Sequence, residues 1–389
     1  MQLVIRSSQV LTGGKFIPAD IVVAGNIISS IESYKSLDSA IDMGNMKIVP
    51  GFVDLHSDAI EKEIEPRPGA RFPLKPAITN LDKKLALSGI TTMFHAVGFN
   101  DEELTRSRRG TDKSAELINE IYISNKRFLN VDNYIHARFE ITSRSSLNTV
   151  KNLIREHKIN MLSLMDHSPG QGQFKTLESW KKYHLSAYSF DTMDIDKYIE
   201  KKLSSDKTGI VEELVKFAIS YNIPVLSHDD DCKEKLNTLK NLGITFSEFP
   251  LSVEVAEYAK RLNISTGMGA PNVVRGGSQS GNIAAKELIS KNLCDYLCSD
   301  YHPSSMLLAP YKLKEDLNIP LEKGFQLVST TPAHLSGLQD RGEIAIGKKA
   351  DIIVIDESYT PNVVLTIKNG NPIYNGIKNN TQVLNHVLL

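Results

Sequence analysis

His56-Ser57-Asp58 closes one short apolar run of this 389-residue chain, and Asp166-His167, His228-Asp229 and Asp300 close three others. Along a further run His136, Arg138 and Glu140 recur at every second residue, and Glu248 ends another. Residues i and i+2 of a strand point the same way, so His56 and Asp58 can reach one metal ion together. Neutral imidazole is the commonest ligand of zinc and similar ions, and a neighbouring carboxylate can fix its tautomer. Charges inside a strand are costly unless they are paired or bind metal. Glu140, at the end of its run, is therefore the candidate for a carboxylate bridging two metals. For Arg138, an internal ion pair with Glu140 competes with a role at the site. Asp300 is suited to bind metal and to take a proton from bound water.

Each of these features has a plain reading by itself. An HxD triplet recurs by chance on polar loops, and a lone strand-end histidine is more often a hydrogen-bonded residue than a ligand. Six strand ends carrying His, Asp or Glu together point to two-metal hydrolysis, in which the ions acidify a shared water and stabilise charge on the attacked group. Glu248 and Asp229 then stand behind the ligands.

Something must bring these ends to one place. Residues 50–330 alternate short apolar runs with amphipathic stretches of helical period such as Val211–Tyr221 and Ser252–Leu262, the pattern of repeated βα units. Eight strands are expected, over residues 48–56, 90–95, 134–140, 160–167, 223–228, 244–248, 264–269 and 295–300. Eight with crossovers imply a closed (β/α)₈ (TIM) barrel, whose active site lies at the carboxyl ends of its strands. Residues 1–49 read instead as short strands and turns. So do residues 340–389, with strands expected over Gly342–Gly347, Ala350–Ile355 and Val363–Lys368. Neither end can bury a sheet face alone, so the two are expected to form one small β-sandwich (1–49 plus 340–389) beside the barrel (50–339). The polar, Ser- and Lys-rich stretch between His167 and Val211 is read as a lid.

Composition narrows the partners. A formal net charge of −1 gives no global attraction to nucleic acid or an anionic membrane, and no apolar stretch is long enough to span a bilayer. Three cysteines, Cys232, Cys294 and Cys298, make no disulfide framework, which fits the cytoplasm; Cys294 and Cys298 are read as core residues.

The run Val49-Pro50-Gly51-Phe52-Val53-Asp54-Leu55-His56, with Thr331-Pro332-Ala333-His334 and Gly347-Lys348-Lys349-Ala350-Asp351 near the other end, resembles the amidohydrolase superfamily. Within it the chain looks like the PhnM family of the carbon–phosphorus lyase pathway. The likeness is carried by His56–Glu61, Pro66-Arg67-Pro68-Gly69, Leu164–Gln171, Ser227–Asp230, Met268–Ser278 and Ser299-Asp300-Tyr301. The resemblance implies a diphosphatase that takes pyrophosphate from α-D-ribose 1-methylphosphonate 5-triphosphate. It also implies a metal site made of His56, Asp58, Glu140, His167, His228 and Asp300, and a homo-oligomer. The ions would be two divalent metals, zinc first, with manganese or iron as alternatives. The sequence departs from the family pattern at Gln279 and at His302, which stands near the site behind the ligands.

A polyphosphate substrate needs local positive charge, and Arg67, Arg138, Lys175 and Arg275 lie in or beside strand-end segments. Arg106, Arg108 and Arg109 follow the second strand, where surface ion pairs account for them equally well. Two other readings stay open: cleavage of a cyclic amide or deamination of an aminopurine with the same metals, and a catalytically silent binding or assembly subunit.

Overall fold

The computed structural model describes residues 2–100, 110–170, 172, 176–178, 180–181, 196, 199–200, 202–278 and 281–377. Its first five strands are β1 (Gln2–Thr12), β2 (Lys15–Ala24), β3 (Ile27–Ser33), β4 (Ile41–Asp42) and β5 (Lys47–Pro50). The next eight are β6 (Phe52–Ser57), β7 (Ile90–Phe99), β8 (Asp132–Glu140), β9 (Met161–Met165), β10 (Val225–His228), β11 (Phe246–Glu248), β12 (Ser265–Gly269) and β13 (Tyr296–Cys298). The last three are β14 (Ile352–Asp356), β15 (Asn362–Lys368) and β16 (Asn371–Asn375).

β6 to β13 pair in sequence order, every neighbour parallel. The ends of this sheet meet in a parallel bridge between Ser57 and Asp300, where Asp300 N donates to His56 O and Asp58 N to Asp300 O. The eight expected strands thus all form, within a few residues of their expected bounds. Alternation along them divides the core. Met93, Ala137 and Leu162 pack with Leu81, Ile118, Leu153 and Leu214 of the surrounding helices. Their chain neighbours Phe94 and Met161 join Val53, Leu55, Leu226, Phe246 and Tyr296 in a separate cluster drawn mostly from the strands.

The strand-rich ends meet in one continuous mixed sheet of order β16-β15-β14-β5-β1-β2-β3, with β4 beside β1. A single apolar cluster gathers Ile5, Ile21, Ile28, Ile48, Ile352, Val354 and Ile367 from both ends of the chain.

Two expectations are corrected here. The first barrel strand, expected over Ile48–His56, breaks at Gly51: Lys47–Pro50 pairs with β14 in the mixed sheet, and only Phe52–Ser57 enters the barrel. A Cβ at Gly51 would lie 2.4 Å from Thr91 Oγ1, so the crossing between the two sheets needs glycine. Gly342–Gly347 forms no strand. Both glycines have φ of 84°, Gly347 N donates to Ile28 O, and Ile344 O accepts from Thr12, so the segment turns and caps the sheet. The expected lid lies largely outside the described residues.

The sheet and the barrel are joined by a charged network. Arg341, 2% exposed, donates to Asp132 at the start of β8 and to Thr92 of β7, while Lys368 of β15 lies 2.9 Å from Asp132 and 3.2 Å from Asp351. Burial opposes ionisation of Asp132, but Lys368 and Arg341 outweigh it and hold the carboxyl below its usual range. A carboxylate depressed in this way stabilises the fold above its unfolded value of about 3.9, and that contribution is lost as pH falls through the folded value. Arg341→Met is expected to destabilise the protein by about 3 kcal/mol at pH 7, as breaking one buried pair does. In urea unfolding the gap to the parent should narrow at pH 3; an equal gap at both pH values would refute the assignment to this network.

Candidate metal centre

The carboxyl ends of three barrel strands and the middle of β8 bring His56, His228, Glu248 and His136 together. His56 is the penultimate residue of β6, β10 ends with His228 and β11 with Glu248, and ligand atoms of these three lie within 4.8 Å of one another. All three are buried. The His56 ring centroid stands 5.1 Å from that of His136 and 5.7 Å from that of His228.

Most of these histidines have one nitrogen aimed at an acceptor. His56 Nδ1 lies 2.9 Å from Glu248 Oε2, His136 Nδ1 2.9 Å from Leu55 O, and His167 Nδ1 2.8 Å from Glu140 Oε2. His228 Nδ1 is 3.2 Å from Asp229 Oδ2. An acceptor at Nδ1 favours the tautomer in which Nε2 carries the lone pair that binds metal. Nε2 of His136 and both ring nitrogens of His228 are buried without a hydrogen-bond partner among the described residues. Burial drives the His136 pKa down to about 3, so its ring is neutral at pH 7. Buried imidazoles beside a carboxylate, with nitrogens of His136 and His228 lacking a hydrogen-bond partner among the described residues, fit a divalent cation.

Asp58 and Asp300 flank this cluster across the barrel seam. Burial, and then the nearby Asp58, raise the Asp300 pKa to about 6. Asp300 holds φ at 55° and Asp229 at 51°, a backbone region that aspartate tolerates better than most residues. Buried Asp54 ties the seam: its Oδ1 accepts from His56 N at 3.3 Å and Ser299 N at 2.9 Å. Arg138 is buried, with Nη1 4.0 Å from Asp58 Oδ2.

Glu140 turns away from Arg138. Its Oε1 accepts from Lys202 Nζ at 2.9 Å and from His167 N at 3.0 Å, leaving Oε2 for the His167 ring. Burial opposes its ionisation, but Lys202 and His167 prevail and hold it well below the usual carboxylate range. With both oxygens engaged, Glu140 orients His167 and does not form the internal pair with Arg138. The His167 carbonyl accepts from the indole of buried Trp180, which carries part of the long stretch after β9 back onto the site.

The other expected residues lie farther out. Arg67 is exposed on a turn closed by Ala70 N to Arg67 O. Arg275 is exposed at the end of the helix after β12, with Nη1 3.2 Å from Tyr301 Oη. His302 is exposed, and its backbone carries its described hydrogen bonds. Lys175, Gln279, Arg106, Arg108 and Arg109 lie outside the described residues. Sequence reasoning missed Lys202, Tyr296 and the part played by His136. His136 shares the β8 alternation of Arg138 and Glu140 and was findable from it; Lys202 carries no signal among so many lysines.

A parallel barrel whose first, fifth and sixth strands deliver His, His and Glu to one point defines a class. A model of the amidohydrolase family matches residues 48–387, and the chain belongs to that family of hydrolases. The α-D-ribose 1-methylphosphonate 5-triphosphate diphosphatase of Escherichia coli is 34% identical to it over 339 residues, covering 85% of this chain and 88% of that protein. The imidazolonepropionase of Picrophilus torridus is 23% identical over 354 residues, 86% of this chain and 85% of that one. Among solved structures, a β-aspartyl dipeptidase of Fervidobacterium islandicum superposes with a TM-score of 0.65 at 15% identity, over 98% of this chain and 99% of that one. An N-acetylglucosamine-6-phosphate deacetylase of Pasteurella multocida gives 0.64 at 14%, over 96% and 100%. At such identities these two speak for the fold alone.

Proposed function

We propose that this hydrolase removes pyrophosphate from α-D-ribose 1-methylphosphonate 5-triphosphate in phosphonate breakdown, using two divalent cations at the strand ends. The observation that carries the reading is the 34% identity with the E. coli diphosphatase across most of both chains. In this reading the barrel that begins at β6 is the catalytic unit, the mixed sheet is an accessory unit beside it, and the protein works in the cytoplasm on a small molecule.

His56, Asp58, His228 and Asp300 would hold the cations, with His167, oriented by Glu140, completing the set; zinc, manganese or iron suits these donors. Such ions acidify water and draw charge from phosphoryl oxygens. Asp300, buried at the barrel seam beside the cluster, takes the proton of the attacking water. Arg138 faces the charge that develops beside Asp58. At the rim, Lys62 Nζ sits 5.0 Å from the Tyr301 ring centroid and Arg275 meets the hydroxyl of the same tyrosine, so two cations converge on one side chain. A phosphate chain satisfies both.

Phosphorus NMR of the metal-loaded protein with a ribose 5-triphosphate tests the reading. Pyrophosphate released in one step is expected. Unchanged triphosphate, with turnover of a dihydroorotate-like amide or an aminopurine, would overturn it.

A further inference from the structure

We infer that Tyr296 is a positioning residue for the metal centre, acting through Glu248 on His56, and that Gly267 exists to let it do so. The inference rests on the metal-binding reading above.

Glu248, Gly267 and Tyr296 are direct register partners on three neighbouring strands: Glu248 faces Gly267 across β11 and β12, and Gly267 faces Tyr296 across β12 and β13. The tyrosine ring reaches over the middle strand, and its hydroxyl donates to Glu248 Oε1 at 3.0 Å. The other oxygen of the same carboxylate lies 2.9 Å from His56 Nδ1 and 4.0 Å from His136 Nε2. Glu248 and Tyr296 are both fully buried. A Cβ at position 267 would stand 2.2 Å from Tyr296 Cζ, so a side chain there would occupy the path of the ring. A glycine inside a strand weakens it and marks a close approach of this kind.

The physical consequence is directional. A buried carboxylate can turn about its last bond, and only one plane of its two equivalent oxygens sets one against His56 and the other against Tyr296. The Tyr296 hydroxyl can only donate to an ionised carboxylate, so it holds Oε1 and leaves Oε2 to fix the His56 tautomer. Partners of this type typically change metal affinity by about 10–100-fold.

The test uses cobalt(II) as a spectroscopic probe on the full chain, with parent, Tyr296→Phe, Gly267→Ala and the double variant. Tyr296→Phe keeps the ring and removes only the hydroxyl. Cobalt should bind it about 10–100-fold more weakly. Gly267→Ala, by displacing the ring, should lose a similar factor, and the double variant should lose no more than the worse single one. Nitrogen-15 shifts of the His56 ring in metal-free protein should report a more mixed tautomer in Tyr296→Phe. Cobalt affinity and His56 shifts equal to the parent's would overturn the inference while leaving the metal centre standing. A parent that binds no cobalt would remove both.

Discussion

Asp300→Asn is expected to lower kcat on the triphosphate by about 10²–10⁴-fold, the usual range for a lost general base. The amide keeps the shape of the side chain and loses the site that takes the proton. Asp300 N and O close the barrel seam through His56 and Asp58, and those backbone bonds survive the substitution. Folding should therefore be intact, and the loss should appear in kcat more than in KM. Steady-state kinetics on the variant, with circular dichroism and metal content alongside, make the check. A variant within a factor of three of the parent, with unchanged metal content, would falsify the assignment of the proton acceptor.

His228→Ala should cost more than any change outside the ligand cluster. The substitution removes one of the three residues whose donor atoms converge within 4.8 Å. Elemental analysis should show metal content falling well below that of the parent. Turnover should fall by more than about 100-fold, the upper range for residues that merely support ligands. Full metal content with full turnover would move the centre elsewhere in the barrel.

Much of this site is legible in the sequence because a barrel strand presents its last residues to a common mouth. His56, His228 and Asp300 follow short apolar runs, and that placement alone brings them together. Glu248 reads as a residue behind the ligands; in the structure its Oε2 lies 2.9 Å from His56 Nδ1. What the pattern cannot carry is contact between side chains from distant segments. Lys202 reaches Glu140 across 62 positions, and Tyr296 reaches Glu248 across 48. Arg67, on a turn between prolines beside a strand-end segment, reads as a phosphate clamp, and its side chain is exposed. Gly342–Gly347 carries β-branched Ile344 and Ile346 as a strand does, but glycines at both ends in the left-handed region bend it into a cap.

The mixed sheet also sets an order of assembly. β5 has β1 on one side and β14 on the other, and β14 is made only after the whole barrel. At roughly 5–20 residues per second, the ribosome takes on the order of 15–60 s to bridge that interval. For that time a nascent chain exposes the bare edge of β5, with the buried residues Ile48 and Val49, to any other strand nearby. Production of this protein is thus governed by the wait for its own last strands, and slower growth at lower temperature, with chaperones in attendance, is the condition under which the chain finds them before it finds a neighbour.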